Sequence, residues 1–205
     1  MGLYDQYLLP LLVNAICKQN PFTDQRSKIV PLAKGKVLEI GIGSGLNLPF
    51  YQKEQVTELT AIDPSLAVWK QNRTKVDQLG FPFEFHQVGA EKMPFANHSF
   101  DSIVTTYTFC TIPDDEMAMQ ELRRVLKPTG VLIFCEHGKA SDPSIQKWQN
   151  RLNPFWKHFG GGCNLNRDIP NLIQTNGFNI KELNAQYIPG WKPLSYNYWG
   201  MATPL

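Results

Sequence analysis

Gly41, Gly43 and Gly45 stand at alternate positions directly after the apolar run Val37 to Ile40. The run reads as a buried strand, and glycines at its end make a tight turn where the backbone takes φ > 0 and a ligand approaches where a Cβ would block it. With a helix opening next, the turn becomes a cradle for a nucleotide. Leu46 stands where the dinucleotide fingerprint Gly-x-Gly-x-x-Gly requires glycine, which favours S-adenosylmethionine over NAD as the cofactor. Glu39, inside the strand, must find a partner there, and the ammonium of an amino-acid moiety would serve. Asn47, just past the turn, is counted with these cofactor residues.

Asp63 ends a second apolar run, Glu58 to Ile62. A carboxylate at that point of a βαβ unit is placed to accept both ribose hydroxyls of an adenosine group. The competing role is a helix cap, because Asp before a proline such as Pro64 commonly starts a helix. Ala90 and Glu91, in the stretch GAEKMPF, and Thr106 and Tyr107, at the end of strand Ser102 to Thr106, fall where an open α/β sheet holds the rest of such a ligand.

The elements that must position these residues follow from periodicity. Leu8, Leu11, Leu12, Ala15 and Ile16 recur at helical spacing, broken at Pro10, and a second helix runs from Thr23 to Leu32. The apolar stripe of the first helix packs on the main domain or, compatibly, makes residues 1–34 a helical lid over the cofactor, with Tyr4 or Tyr7 near the methyl-donor end. A helix at 65–79 and a strand at 83–87 come next. Pro113 opens a helix with Asp114, Asp115 and Glu116 in its first turn, closed by Lys127-Pro128-Thr129-Gly130. Strand Val131 to Cys135 leads into Glu136-His137-Gly138, and the helix from Ser144 must bend at Pro154. A short helix covers Arg167 to Asn176, and two strands with a turn between them end the chain.

With 205 residues and no internal repeat or linker, the chain reads as a single domain over 1–205. A net charge of +2 with interspersed signs argues against nucleic acid as a partner. Cys17, Cys110, Cys135 and Cys163 are widely spaced, as are the four histidines, which argues against a metal site and a disulfide framework and fits the reduced cytoplasm. The N-terminal segment lacks the basic start of a secretory signal, and no run has the ~20 apolar residues that span a bilayer. At most weak, reversible membrane contact through the first helix is expected.

The glycine turn, Asp63, GAEKMPF, RRVLKPTGVLIF and the terminal hairpin, in that order, resemble the class I S-adenosylmethionine-dependent methyltransferases of the "methyltransferase type 11" group. FCEHGKASD, LNPFWKHFGGGCNLNRD and the aromatic tail look like the thiol S-methyltransferase-like family and its bacterial relatives. The resemblance implies an α/β, Rossmann-like seven-stranded sheet of order 3-2-1-4-5-7-6, strand seven antiparallel, flanked by helices. It implies an enzyme that methylates a small, apolar molecule, with a thiol the favoured acceptor. Two departures stand out: Gly89 stands where many relatives carry Asp, and the first residues do not read as an N-terminal membrane anchor of the kind the animal enzymes have, so none is expected. Methyl transfer requires no metal, and alignment of donor and acceptor does most of the work. His137 is the candidate base for the acceptor, with Asn164 and Arg167 as positioning groups, and it reads equally as a structural histidine satisfied within the fold. Arg167 next to Asp168 also reads as an ion pair at a helix start, and Cys163 as a pocket wall. The alternatives are N- or O-methylation of a lipid headgroup or metabolite, a non-catalytic S-adenosylmethionine-binding module, and an NAD-dependent oxidoreductase.

Overall fold

The computed structural model of the chain describes residues 17–66, 69 and 73–205. Seven strands form one sheet: β1 (Gly35–Ile40), β2 (Val56–Ile62), β3 (Phe83–His86), β4 (Phe100–Thr106), β5 (Leu126–His137), β6 (Phe178–Tyr187) and β7 (Tyr196–Pro204). Their order is β3-β2-β1-β4-β5-β7-β6. The first five strands pair in parallel, and β7 runs antiparallel between β5 and β6. This is the order and the strand direction that the family resemblance implies.

Alternation along the strands divides the apolar residues between two cores, as expected for a sheet covered on both faces. Leu38, Ile103, Leu132 and Phe134 face one core, and Val37, Val104, Ile133 and Cys135 face the other. The first core is closed by α2 (Asp115–Val125) and α4 (Ile169–Thr175), and the second by α1 (Asn20–Ile29) and the turns after it. α2 starts where the Asp114 side chain accepts the N–H of Met117, and it ends with Arg123 and Arg124. Acids at its start and bases at its end both suit the macrodipole. α3 (Pro143–Phe159) and α5 (Lys192–Ser195) complete the set.

Several boundaries differ from the sequence reading, each for a local reason. The glycine turn is followed by one 3-10 turn, Leu48–Phe50, and not by a helix. Pro49 withholds an N–H there, and the flanking Asn47 and Tyr51 turn their side chains inward onto Glu39. α2 stops at Val125, and Lys127 to Gly130 form an irregular stretch within the longer β5, whose pairing with β4 jumps between Leu126 and Val131. α1 starts at Asn20, with Pro21 in its first turn, and gives way to a 3-10 turn at Val30–Leu32. α3 remains helical through Pro154. Between β6 and β7 the hairpin carries α5, and a Cβ at Gly200 would lie 1.9 Å from the Glu182 carbonyl, so glycine alone fits that register.

Tyr4 and the amphipathic helix of residues 8–16 lie outside the described residues, as does part of the 65–79 helix, of which Arg73–Gln78 form a 3-10 helix. Among the described residues no helix is long and apolar enough to cross a membrane.

Candidate active site

The parallel register of β2, β1, β4 and β5 brings their carboxyl ends to one edge of the sheet. At the end of β1, Glu39 is buried at 1% exposure. Its Oε1 accepts from Asn47 Nδ2 (2.9 Å) and its Oε2 from the Tyr51 hydroxyl (2.9 Å). Asn47 also exchanges hydrogen bonds with Thr106 Oγ1 at 3.0 and 3.2 Å, tying β4 to the turn. Burial pushes the Glu39 carboxyl up to about 7, against the pull of Tyr51 and Asn47. The partner that Glu39 needs is thus supplied from within the chain, where the sequence suggested a ligand ammonium. Asn47 and Thr106 serve first as struts of that arrangement.

Gly41, Gly43 and Gly45 all take positive φ, at 70°, 53° and 68°. At Gly41 the neighbour is protein: a Cβ there would lie 2.5 Å from Thr108. The Gly43 N–H donates to Asp63 Oδ2 (2.8 Å), and the Ser65 N–H donates to Asp63 Oδ1 (2.8 Å). Asp63 therefore fastens the glycine turn to the start of the next segment. Each carboxylate oxygen keeps a further lone pair, which leaves acceptor capacity on a group that is 9% exposed. Burial raises its pKa, opposed by the N–H groups of Ser65 and Gly43. The adjacent Pro64 carbonyl accepts from Gln87 (3.3 Å). Ala90 is buried in the first core beside Met93. Glu91 Oε2 stands 2.5 Å from where a Cβ on residue 89 would lie, so its carboxylate fills the space that an Asp at 89 would take.

After β4 the chain turns sharply at Tyr107, a non-glycine residue at φ 55°. Glu136, fully buried, holds this turn: it accepts from Thr105 Oγ1 (2.9 Å), the Thr108 N–H (2.9 Å) and the Phe109 N–H (3.2 Å). Burial lifts its carboxyl to about 7, and these donors oppose the rise. Sequence reasoning passed over Glu136, although an acid ending an otherwise apolar strand is the same signal that singled out Glu39. The Tyr107 ring is committed to α1, with Phe22 edge-on at 5.0 Å and the Arg26 guanidinium over its face at 5.0 Å.

His137, the last residue of β5, is buried, with Nε2 3.1 Å from Cys163 Sγ. Its Nδ1 is buried without a hydrogen-bond partner. The hydrogen bond from Cys110 and the neighbouring His137 pull the Cys163 thiol well below its usual range, against burial. Burial works against a charged His137, yet Cys163 outweighs it and the net shift is upward. Asn164 donates to the Cys110 carbonyl (2.9 Å) and the Gly162 carbonyl (3.1 Å), so its amide shapes the loop. Arg167 pairs with Asp115 (2.9 Å) and donates to the carbonyls of Phe109 and Ile112, while Asp168 pairs with Lys139 and caps α4. The expected Arg167–Asp168 pair is replaced by these two. Gln149 fixes the surroundings: the two hydrogens of its Nε2 are shared among the carbonyls of Gly138, Leu165 and Pro193, and its Oε1 accepts from the Ala140 N–H. A surface depression of about 610 Å³ lies elsewhere, lined by His98, Arg123, Arg124 and Gly177.

A methyltransferase domain family matches residues 38–134, from β1 into the last third of β5. Thiol S-methyltransferase TMT1B of Rattus norvegicus is 32% identical over 173 residues, which cover 81% of this chain and 69% of the relative. Thiol S-methyltransferase TMT1A of Homo sapiens is 31% identical over 191 residues, covering 91% and 75%. Among solved structures, geranyl diphosphate methyltransferase in complex with S-adenosylmethionine has a TM-score of 0.69 at 12% identity, covering 89% and 85%, a likeness of fold. Strand order, glycine turn, Asp63 and these relatives agree: the chain belongs to the S-adenosylmethionine-dependent methyltransferases, in the family that includes the thiol S-methyltransferases.

Proposed function

We propose that this enzyme methylates the thiol of a small, apolar molecule. The observation that carries the reading is His137, buried at the carboxyl end of β5 beside Cys163 and one strand beyond the strut from Asn47 to Thr106. Similarity to two thiol S-methyltransferases over most of the chain supports the choice of acceptor.

S-adenosylmethionine, when bound, supplies an electrophilic methyl group on a sulfonium. The chain's own task is to hold the nucleoside and to present a nucleophile in line. The backbone of Gly41, Gly43 and Gly45 forms the floor of the cofactor site, and Asp63 receives the ribose. Ala90 and Glu91 flank the adenine, while Glu39, Asn47 and Thr106 keep the turn in shape. Tyr4 is assigned to the methyl end. A thiol reacts as its thiolate, so the site must favour deprotonation, and His137 is the group placed to do so. Asn164 positions the loop that carries Cys163. Proximity and alignment provide the larger share of the rate, up to ~7 to 11 kcal/mol for well-oriented pairs.

Mass spectrometry of products from a panel of thiols, amines, phenols and phospholipids tests the reading. Methyl thioethers are expected from small alkyl or aryl thiols. Methylated amines or headgroups without any thioether would end it.

A further inference from the structure

Cys110, His137 and Cys163 come from three elements: the 3-10 turn Phe109–Thr111, the end of β5, and the loop after α3. All three are buried, and their donor atoms lie within 4.8 Å of one another. The scaffold holds each in place. Glu136 fixes the turn before Cys110, Asn164 bonds the Cys110 carbonyl next to Cys163, and Gln149 bonds the carbonyl of Gly138, next to His137, and that of Leu165, two residues past Cys163. Cys17 falls outside this spacing.

Two thiols and an imidazole are a poor filling for a core. Their mutual hydrogen bonds are weak, and His137 Nδ1 is left without a partner. They are, however, a good ligand set for a borderline-soft ion. Thiolate and imidazole together select zinc, and three protein ligands with a fourth position open is the pattern of reactive zinc sites. Tetrahedral zinc, with Zn–S ~2.3 Å and Zn–N ~2.0 to 2.1 Å, sets sulfur and nitrogen roughly 3.6 Å apart. The 3.1 Å between His137 Nε2 and Cys163 Sγ therefore has to widen by about half an ångström to admit the ion.

We infer that Cys110, His137 and Cys163 bind one zinc-class divalent ion, whose fourth position takes the sulfur of the methyl acceptor. The role of the fourth position rests on the thiol reading; the ion site itself does not. His137 then favours the thiolate as a ligand of the ion. The acceptor thiol releases its proton to solvent on binding, and the sulfur lone pair forms the new C–S bond. The sulfonium C–S bond breaks, and its electron pair stays on the cofactor's sulfur. The neutral thioether, a weaker ligand, leaves.

The test uses the full chain, free of affinity tags, produced in zinc-supplemented medium and kept reduced. Elemental analysis should find about one zinc per chain, as for a site with these ligands. Cobalt(II) exchanged for zinc should give a thiolate-to-cobalt charge-transfer band, and a small aryl thiol should shift its visible bands. Cys110→Ser and Cys163→Ser should lose the band, while His137→Cys, which keeps a ligand, should retain metal. Circular dichroism confirms that each variant is folded. A folded, reduced wild-type protein without zinc or a cobalt band overturns the site, as does a Cys110–Cys163 disulfide that persists in reductant. Cobalt bands that ignore the thiol overturn the fourth position. Thiol methylation at an unchanged rate by metal-stripped protein would end the fourth-position role and leave the thiol reading intact, whereas a zinc-loaded protein that methylates no thiol would end the thiol reading and leave the ion site.

Discussion

Glu136 accepts the backbone N–H groups of Thr108 and Phe109, so a carboxyl on β5 fixes the conformation of the turn that ends β4. Replacing Glu136 by Ala leaves both buried donors unpaired, at about 1 to 3 kcal/mol each. The variant should lose at least about 2 kcal/mol in urea unfolding, a large fraction of ordinary stability. A loss under about 0.5 kcal/mol, the size of a neutral surface change, would show that the turn holds its shape unaided.

Glu39 gives a pH signature. Its carboxyl titrates near 4.5 when unperturbed and near 7 in the fold, raised by burial. Folding therefore takes up a proton between those values, and the stability it contributes is complete below about 4.5 and lost as pH rises through about 7. The difference is on the order of 3 kcal/mol at 1.36 kcal/mol per pKa unit. Glu39→Gln should flatten this dependence, gaining relative to the wild type as pH rises from 5 to about 7.5 in denaturant melts. Parallel pH curves for the two proteins would contradict it.

The cofactor turn is tested by two substitutions. Gly43 takes φ 53°, where a β-branched residue is a strained outlier, so Gly43→Val should weaken S-adenosylmethionine binding measured by calorimetry. Asp63→Ala removes a charged acceptor and should cost roughly 1.5 to 3 kcal/mol of cofactor affinity. Because Asp63 also binds the N–H groups of Gly43 and Ser65, Asp63→Asn serves as the variant that keeps one acceptor oxygen. Unchanged affinity in folded Asp63→Ala would leave this residue as a backbone clamp alone.

Acceptor chemistry has its own pH profile. With a small thiol of unperturbed pKa ~8.5, the rate should rise with pH as the thiolate forms. His137→Ala should be slowest relative to the wild type at low pH and approach it as the thiol ionises unaided. Stopped assays from pH 6 upward, with product read by mass spectrometry, check this. A constant ratio across the range would remove His137 from acceptor activation.

The glycine turn, Asp63 and the strands were legible because each is written in a contiguous run with a local physical cause. The family resemblance added the sheet order, including the antiparallel seventh strand. What sequence could not show is long-range convergence. Cys110, His137 and Cys163 have no ligand spacing along the chain, yet a turn, a strand end and a loop bring them together. Glu39 illustrates a subtler limit: its need for partners was readable, but that Asn47 and Tyr51 meet it depends on Pro49 breaking the expected helix into a single turn.

Gln149 bonds three carbonyls and one amide drawn from β5's end, the loop at Leu165 and α5. One amide side chain thus links those segments at a common point, so the opening of any one leaves a buried polar group of Gln149 unpaired and loosens its hold on the rest. Native-state hydrogen exchange should show the Ala140 amide opening together with the backbone of β5's carboxyl end and α5, in one subglobal event. The end of β5, the loop at Leu165 and α5 are then expected to loosen as a block, with no separate fraying of the loop.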